Sequence, residues 1–440
     1  MRVLAVGGGG REHAIVKSLA KGGAELYVAM RNMNPGIARI AQEFSLMKET
    51  DVEKVVRYAL SQKVQMAVIG PEAPLEAGLV DELLSKGIPC VGPARAAARI
   101  ETSKSYARAL LAKHDVPGNL KFASFDTYHE AKRYLMDIDH EVAVKPTGLT
   151  GGKGVKVEGE HLKDKAEVLA YVKEILDRGI GGAGVVLEEK VEGEEFTLQA
   201  FSDGRRVMPM PLVQDHKRAF EGDKGPNTGG MGSYSVEDHL LPFVTSSEHE
   251  KAVGSMQRTI EAMAEEGTPY RGILYGQFML TADGPKIIEF NARFGDPEAM
   301  NVLPLLDSDF VEICAGIAAG DLSGKRCQFR KAATVCKYVV PEGYGTEPRA
   351  GVPIKVDEDG IQRVGAELFY AAVNEEGGRI LTTTSRSVAV VGIDVNIDAA
   401  ERQCERALRF VSGQEIYVRH DIGKHEIIQR KVERMRALRK

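Results

Sequence analysis

Short apolar runs alternate with amphipathic helical stretches over the first hundred residues of the chain. Apolar runs at 3–6, 26–29 and 66–69 predict strands, and helical spacing begins at about Arg11, Val52 and Leu75. A short fourth strand is expected at 89–91, before Gly92 and Pro93. Strands separated by helices in this way have the rhythm of a parallel sheet. A helical stretch over 94–114 leads to a turn at Pro117 and Gly118, and a first boundary falls near Glu101.

Beyond Leu120 the pattern changes. Strands are expected near 141–145, 155–157, 185–189 and 196–202, with one helix between the second and third carrying Val168, Leu169, Val172, Ile175 and Leu176 at helical spacing. Asp203-Gly204 and Asp283-Gly284 each sit between strand-like runs, a strong hairpin signal, so this region reads as largely antiparallel. Phe310, Ile313, Cys314, Ile317 and Ala318 mark a core-facing helix, and a glycine-rich cluster at 320–324 gives a second boundary. A strand-rich unit is expected from about Arg330 to the end, with a turn at 374–378 and a helix over about 399–410. There is no internal repeat and no low-complexity tract.

Composition narrows the class. A chain of 440 residues exceeds what one hydrophobic core usually supports, so two to four packed domains are expected. Apolar content of 43% and charged content of 28% are those of an ordinary globular protein. A formal net charge of -5 lacks the clustered basic surface that a nucleic acid partner calls for. Cys90, Cys314, Cys327, Cys336 and Cys404 are odd in number and scattered, and read as reduced thiols. The N-terminus carries no signal-peptide pattern, and no apolar run approaches the ~18 residues of a membrane span. No membrane partner and a cytoplasmic location are the expectations.

Two glycine-rich loops carry candidate chemistry. Gly7-Gly8-Gly9-Gly10-Arg11-Glu12-His13 follows the first strand and opens the first helix, where free amides and the helix dipole favour an anion. The dinucleotide fingerprint needs a third glycine, but Glu12 or His13 stands there, and the second strand ends at Met30-Arg31 without an acidic residue for a ribose. Anion site and plain tight turn both remain open for this loop taken alone. The second loop runs from Lys145 through Gly148, Gly151, Gly152 and Lys153 to Gly154. Thr147 and Gly154 break the Walker pattern, and two lysines beside four glycines favour a phosphate-covering lid over a generous hairpin.

Gln277 lies on one strand of the hairpin turned at Asp283-Gly284, with Glu289 and Asn291 on the other, two residues apart and so on one face. Their oxygens are the hard ligands that Mg²⁺ takes, and Arg293, two further along, suits the charge on a phosphoryl group in transfer. A solvated acidic edge strand is the bland alternative, against which the polar run at 293–298 weighs. Residues 214–232 show no helix or strand pattern and read as a long functional loop. His216 within it reads as a satisfied surface histidine without a catalytic role.

Taken together, Gly-x-Gly-Gly-Arg-Glu-His at 7–13, Gly-Pro-Glu-Ala-Pro-Leu at 70–75, Gln-Asp-His-Lys-Arg at 214–218, Gly-Pro-Asn-Thr-Gly-Gly-Met-Gly at 225–232 and Glu-Phe-Asn-Ala-Arg-Phe-Gly-Asp-Pro-Glu at 289–298 resemble the phosphoribosylamine-glycine ligases, an ATP-grasp family. The resemblance extends over essentially the whole chain to Arg419-His420-Asp421-Ile422-Gly423. It implies an α/β and α+β architecture. A parallel Rossmann-like substrate-binding domain at 1–100 would precede an ATP-grasp domain at 101–325, with a lid subdomain at about 120–190. A strand-rich C-terminal domain at 326–440 would follow. The implied reaction is ATP-dependent ligation of glycine to 5-phosphoribosylamine through a glycyl phosphate, in purine biosynthesis. The alternatives are another ATP-grasp ligase or carboxylase subunit, and a nucleotide-binding regulator without catalysis.

The resemblance also implies roles. Lys104 and Lys145 would hold ATP phosphates under the lid residues Gly151, Gly152, Lys153 and Gly154. Glu188 and the Val191 backbone would meet adenine, and Glu195 the ribose. Glu289 and Asn291, with Gln277 as a weaker ligand, would bind Mg²⁺ or Mn²⁺. Gly9, Gly10, Glu72, Asp215 and Asn227 would face the substrates, and Arg293 would reach glycine's carboxylate or the acyl phosphate. Arg293, Lys145 and Asp215 are the catalytic candidates. The partners implied are small molecules only, and the chain is expected to be a monomer or weak dimer. Two segments depart from the family pattern: Pro146-Thr147 and Thr150-Gly151 in the lid loop, and Arg31-Asn32-Met33-Asn34-Pro35-Gly36 after the second strand.

Overall fold

A computed structural model describes residues 1–150 and 154–440. The first unit is a five-stranded parallel sheet in the order β3-β2-β1-β4-β5, formed by β1 (Arg2–Val6), β2 (Glu25–Met30), β3 (Glu43–Leu46), β4 (Met66–Ile69) and β5 (Cys90–Val91). β3 was not anticipated, because its Glu-Phe-Ser-Leu sequence carries too few apolar residues to stand out. The central strand β1 is buried along Val3 to Val6, and α1 (Gly10–Lys21) follows it through the glycine loop. Gly7 has φ of +114°, and a Cβ there would strike the Glu12 side chain, so the tight exit from β1 requires glycine.

The expected helical stretch over 94–114 is two helices, Arg95–Thr102 and Lys104–Lys113. They break at Ser103, whose extended backbone and hydroxyl cap the second through the Tyr106 amide.

A small antiparallel sheet follows in the order β6-β9-β7-β8, from β6 (Phe122–Phe125), β7 (Val142–Pro146), β8 (Lys156–Val157) and β9 (Val185–Glu189). Helices Tyr128–Asp137 and Lys165–Arg178 pack on it around a separate apolar core that includes Ala131, Leu135, Val144, Val172 and Leu187. A separate core of this kind lets the unit move as a body. The central sheet, in the order β11-β10-β16-β17, is built on the long pair β10 (Glu194–Asp203) and β16 (Arg271–Thr281). β11 (Val207–Pro209) and β17 (Gly284–Asn291) complete it through the two hairpins expected at Asp203-Gly204 and Asp283-Gly284.

The stretch 214–232, expected to be an irregular loop, is mostly extended structure. It contains β12 (Gln214–Asp215), β13 (Arg218–Phe220) and β14 (Lys224–Asn227), and it runs into β15 (Gly232–Ser235). β13 and β14 form a hairpin of their own, while β12 and β15 pair with each other. β15 then pairs with β18 (Ala333–Pro341) of the C-terminal unit. Four short strands rich in glycine and charge carry no alternation that a sequence pattern can register. The C-terminal sheet continues from β18 to Val388–Asp394 and Glu367–Tyr370, and helix Ile397–Leu408 packs on it. Helix His425–Leu438 closes the chain. It was missed because six of its fourteen residues, HEIIQRKVERMRAL, are Lys, Arg or Glu, leaving only a thin apolar stripe at Ile427, Ile428, Val432 and Met435.

Candidate active site

Two cavities lie side by side between the lid sheet and the central sheet. The larger, about 790 Å³, is lined by apolar Leu120, Ala143, Val155, Val157, Met279 and Ile288, surfaces suited to a purine face. The smaller, about 390 Å³, is polar and draws on all three units: Arg11 and Glu72 from the first, Asn291 and Arg293 from β17 and the residues after it, and Arg386 from the last. Glu188, Asp215, Lys217 and Glu289 line both, so these four stand where the cavities meet.

On the lid side, Lys145 and Glu188 face each other across the β7–β9 ladder. The Lys145 ammonium lies 2.7 Å from Glu188 Oε2 and donates to the Ile288 carbonyl. Arg108 grips the same carboxylate with both Nε and Nη2, at 2.8 Å each. Burial works against ionisation of Glu188, but Arg108 and Lys145 overcome it and hold its pKa down to about 2. The Glu188 carboxylate is thus committed to two cations. The sequence reading sets Glu188 and the Val191 backbone at adenine, and both residues line the larger cavity. Lys104 begins its helix, donates to the Gly148 carbonyl at 3.0 Å, and has a pKa lowered by burial against the pull of Glu289. Gly154 accepts a hydrogen bond from Tyr171, while Gly151, Gly152 and Lys153 lie outside the described residues.

On β17, Glu289 pairs with Gln277 and Asn291 with Tyr275 across the ladder, so the expected clustering of 277, 289 and 291 is met. Their surroundings differ. Gln277 is buried, its Nε2 donates to Glu195 Oε2 at 2.7 Å, and its Oε1 lies 3.0 Å from the Tyr275 hydroxyl. Both ends of its amide have protein partners, so the side chain expected as the weaker metal ligand also holds Glu195 in place. Glu289 makes no hydrogen bond among the described residues. Burial disfavours its charge, yet Lys217, Lys145 and Lys104 around it keep its pKa below the ordinary value. An ionised, unbonded carboxylate two residues from the Asn291 amide, whose Oδ1 has only a 3.4 Å contact from Arg293, is a donor set that fits a hard divalent cation.

Arg293 is fixed on several sides: Nε donates to Glu72 Oε2 at 3.2 Å, Nη2 lies 3.3 Å from Glu101 Oε1, and Nη1 donates to the Phe294 carbonyl. The two acids beside it are driven apart. Burial raises Glu72, but Arg293 and Arg11 bring it down to about 2, whereas burial raises Glu101 to about 7 despite Arg293.

Asp215 sits on β12, on a sheet and not on the exposed loop expected of it. Its Oδ1 is buried without a hydrogen-bond partner. Burial and the neighbouring Glu298 push its pKa well above the usual range, against Lys217 and Arg386. Lys217 Nζ reaches Glu195 Oε2 at 3.0 Å, so Glu195 is set by Lys217 and Gln277 together. His216, expected at the surface, is buried, with Nδ1 3.0 Å from Asp223 Oδ1. Asn227 is exposed at the end of β14, on the rim of the larger cavity.

The glycine loop stands behind the smaller cavity. The Gly9 amide donates to Glu12 Oε2, while Arg11 binds Glu12 Oε1 and the Phe294 carbonyl. Asn34, in the segment that departs from the family pattern, donates to the Gly8 and Tyr370 carbonyls and caps helix Pro35–Ile40. That role for Asn34 was not read from the sequence, nor were those of Arg108, Lys217 and Arg386. Arg386 Nη1 bonds the carbonyls of Gly229, Gly230 and Asp296, and Nε and Nη2 have no hydrogen-bond partner among the described residues. Nothing local in the sequence at 383–387 distinguishes it from a surface arginine.

Comparison with known proteins places this geometry. The chain matches the phosphoribosylglycinamide synthetase N domain over residues 1–101, its ATP-grasp (A) domain over 102–299 and its C domain over 334–425. It is 54% identical over 441 residues to a phosphoribosylamine–glycine ligase of Methanothermobacter thermautotrophicus, covering 100% of both chains. With that of Pyrococcus horikoshii it shares 50% over 440 residues, covering 100% of this chain and 98% of the relative. A crystal structure of phosphoribosylamine–glycine ligase from Thermotoga maritima superposes with a TM-score of 0.82 at 28% identity, covering 96% of this chain and 100% of that one.

Proposed function

Because the chain belongs to the phosphoribosylglycinamide synthetase family, we propose that it ligates glycine to 5-phosphoribosylamine at the expense of ATP, giving glycinamide ribonucleotide, ADP and phosphate. A carboxylate does not react with an amine at neutral pH, so glycine's carboxylate first takes the γ-phosphoryl group and the amine then displaces phosphate. The observation that carries the reading is the meeting of the two cavities. There the unpartnered Asp215 oxygen, suited to an ammonium or amine, stands with the unbonded Glu289 and with Lys217.

In this reading the adenosine end occupies the larger cavity, with Glu195 at the ribose, and the phosphates point to Lys145 and Lys104. Glu289 and Asn291 hold a divalent metal, Mg²⁺ or Mn²⁺. Held there, the metal would supply positive charge to offset that of the phosphates. Arg293, held in place by Glu72 and Glu101, presents its remaining N–H to the acyl phosphate. Asp215 accepts from the reacting amine and fixes its approach. Gly10 and the free edge of Arg386 supply N–H donors for the phosphate of phosphoribosylamine, beside Gly9, whose own amide is held by Glu12. No side-chain nucleophile is required.

The test is ADP release by the purified protein with glycine and freshly made phosphoribosylamine. Release that needs both substrates and a divalent metal is the expected result. Release with bicarbonate in place of glycine, or with neither, would overturn the reading.

A further inference from the structure

The segment Arg419-His420-Asp421 and helix His425–Leu438 lie outside the reacting residues, yet they converge on the β13–β14 hairpin. Arg419 is fully buried. It holds Asp421 through two bonds of 2.9 and 2.7 Å, donates to the Arg218 carbonyl at 2.9 Å, and reaches Asp223 Oδ1 at 2.9 Å. Asp421 accepts the Gly222 amide at 2.8 Å, and the His420 amide donates to Glu221 at 3.0 Å. Four of these contacts, to Arg218, Glu221, Gly222 and Asp223, fall on the first strand and turn of the hairpin. Asp223 occupies the left-handed region, with φ of +57°, and its carboxylate also takes His216.

Lys431 extends the connection. Its ammonium is 3.9 Å from Asp223 Oδ2 and 3.0 Å from Glu194 Oε2, and Arg434 reaches the other oxygen of Glu194 at 3.3 Å. Glu194 immediately precedes Glu195 on β10. Cations from the end of the chain therefore tie the turn of the hairpin to the strand that carries Glu195. The hairpin's two roots are Asp215 with Lys217 on one side and Thr228 with Gly229 on the other, and all four line the smaller cavity.

We propose that Arg419 and Lys431 are positioning residues for the ligation, acting through Asp223 to hold the hairpin so that Asp215 and Lys217 meet the substrates in register with the nucleotide. The proposal rests on the assignment of Asp215 and Lys217 to the substrate side of the site. Arg419 lines neither cavity, and Lys431, on the wall of the larger one, has its ammonium on Glu194 and Asp223, so the hairpin is the route by which both act on turnover. An ion pair spans the 3.9 Å between Lys431 and Asp223 only while the turn stays docked, and a reacting group displaced by about 1 Å costs up to about a hundredfold in rate.

The test uses the full chain carrying Asp223→Asn, which keeps a residue tolerant of positive φ, and Lys431→Met, on a half-buried helix position, with Lys431→Arg as the conservative control. Hydrogen exchange over 218–228, steady-state kinetics and ADP affinity are measured together. The expected result is faster exchange in the hairpin and a fall in kcat of about tenfold or more. ADP affinity stays within threefold, and Lys431→Arg recovers most of the loss. Unchanged exchange in Asp223→Asn overturns the clamp. Faster exchange with unaltered kcat and KM overturns its role in positioning, as does an equal loss of ADP affinity. If the parent protein shows no turnover with glycine and phosphoribosylamine, the proposed function fails, while the exchange contrast still decides whether the clamp exists.

Discussion

Glu188→Gln removes one charge from a triad in which two buried cations share a carboxylate, and its cost can be worked from the geometry. Arg108 holds both oxygens at 2.8 Å and Lys145 holds one at 2.7 Å, and all three side chains are almost inaccessible to water. The folded pKa of about 2, against an ordinary glutamate value of 4.5, corresponds to about 3 kcal/mol of stabilisation at pH 7. Because the folded pKa is depressed, this stability is complete above pH 4.5 and is lost as pH falls through 2. At pH 3.5, about 2 kcal/mol of it remains. The glutamine keeps the shape but leaves two ammonium-type charges without a counter-ion, an effect of the same sign and of about 3 to 5 kcal/mol in buried pairs generally.

For 440 residues unfolding as one body, an entropy of about 2.1 cal/mol/K per residue converts 3 kcal/mol into a fall in melting midpoint of about 3 °C. A larger fall means that the lid, with its own core, unfolds apart from the rest. Thermal denaturation of parent and variant at pH 7 and pH 3.5, with ADP affinity alongside, is the assay. The offset shrinks at the lower pH, and nucleotide affinity falls because Lys145 loses its anchor. An offset of the same size at both pH values would refute the electrostatic reasoning, and no offset at all would refute the triad.

Glu289→Gln should lower turnover about a hundredfold or more while leaving the melting midpoint within a degree or two, since it removes a metal ligand and not a packed group. Steady-state rates at saturating Mg²⁺ decide it, and near-normal activity would end the metal assignment. Asp215→Asn should lose roughly 2 to 4 kcal/mol of transition-state stabilisation at unaltered ATP affinity. It should be at least as stable as the parent at pH 7, because the raised pKa of Asp215 means that its ionised form is disfavoured by folding. Glu101, raised to about 7, contributes stability that is complete below pH 4.5 and lost as pH rises through 7, about 3 kcal/mol in all. Glu101→Gln should therefore flatten the pH dependence of the melting midpoint between pH 5 and 8, and a curve parallel to the parent's would rule this out.

Periodicity made the parallel sheet and both central hairpins legible, because β1, β2 and β4 are buried on both faces and the hairpin turns carry Asp-Gly. It failed where burial is partial. β3 has exposed ends around two half-buried residues and none fully buried, and the strands from β12 to β14 are two to four residues long. The clustering of Glu289 and Asn291 followed from strand alternation alone. The partners that set their neighbours did not, because they come from distant segments: Arg108 is 80 positions from Glu188, and Lys217 is 22 from Glu195. Arg386 and Asn34 show the same limit. Each bonds backbone carbonyls on another unit, a contact with no signature in local sequence.

The pairing of β15 with β18 has a consequence for how the chain divides. The residues proposed to meet the nucleotide stand on the lid and central sheets, whereas Asp215 stands on a strand paired through β15 to the C-terminal unit. Asn301 reinforces that join, its amide donating to the Ser233 carbonyl and to Thr334 Oγ1 at full burial. Removing the C-terminal unit would therefore strip β15 of its ladder partner, expose the apolar face around Tyr234 and leave the β13–β14 hairpin without Arg419. A nucleotide site can survive such a cut, because Lys145, Glu188, Glu289 and their partners all lie before residue 300. Under the proposed function ligation cannot, since Asp215, the acid proposed to receive the amine, is positioned from the far end of the chain.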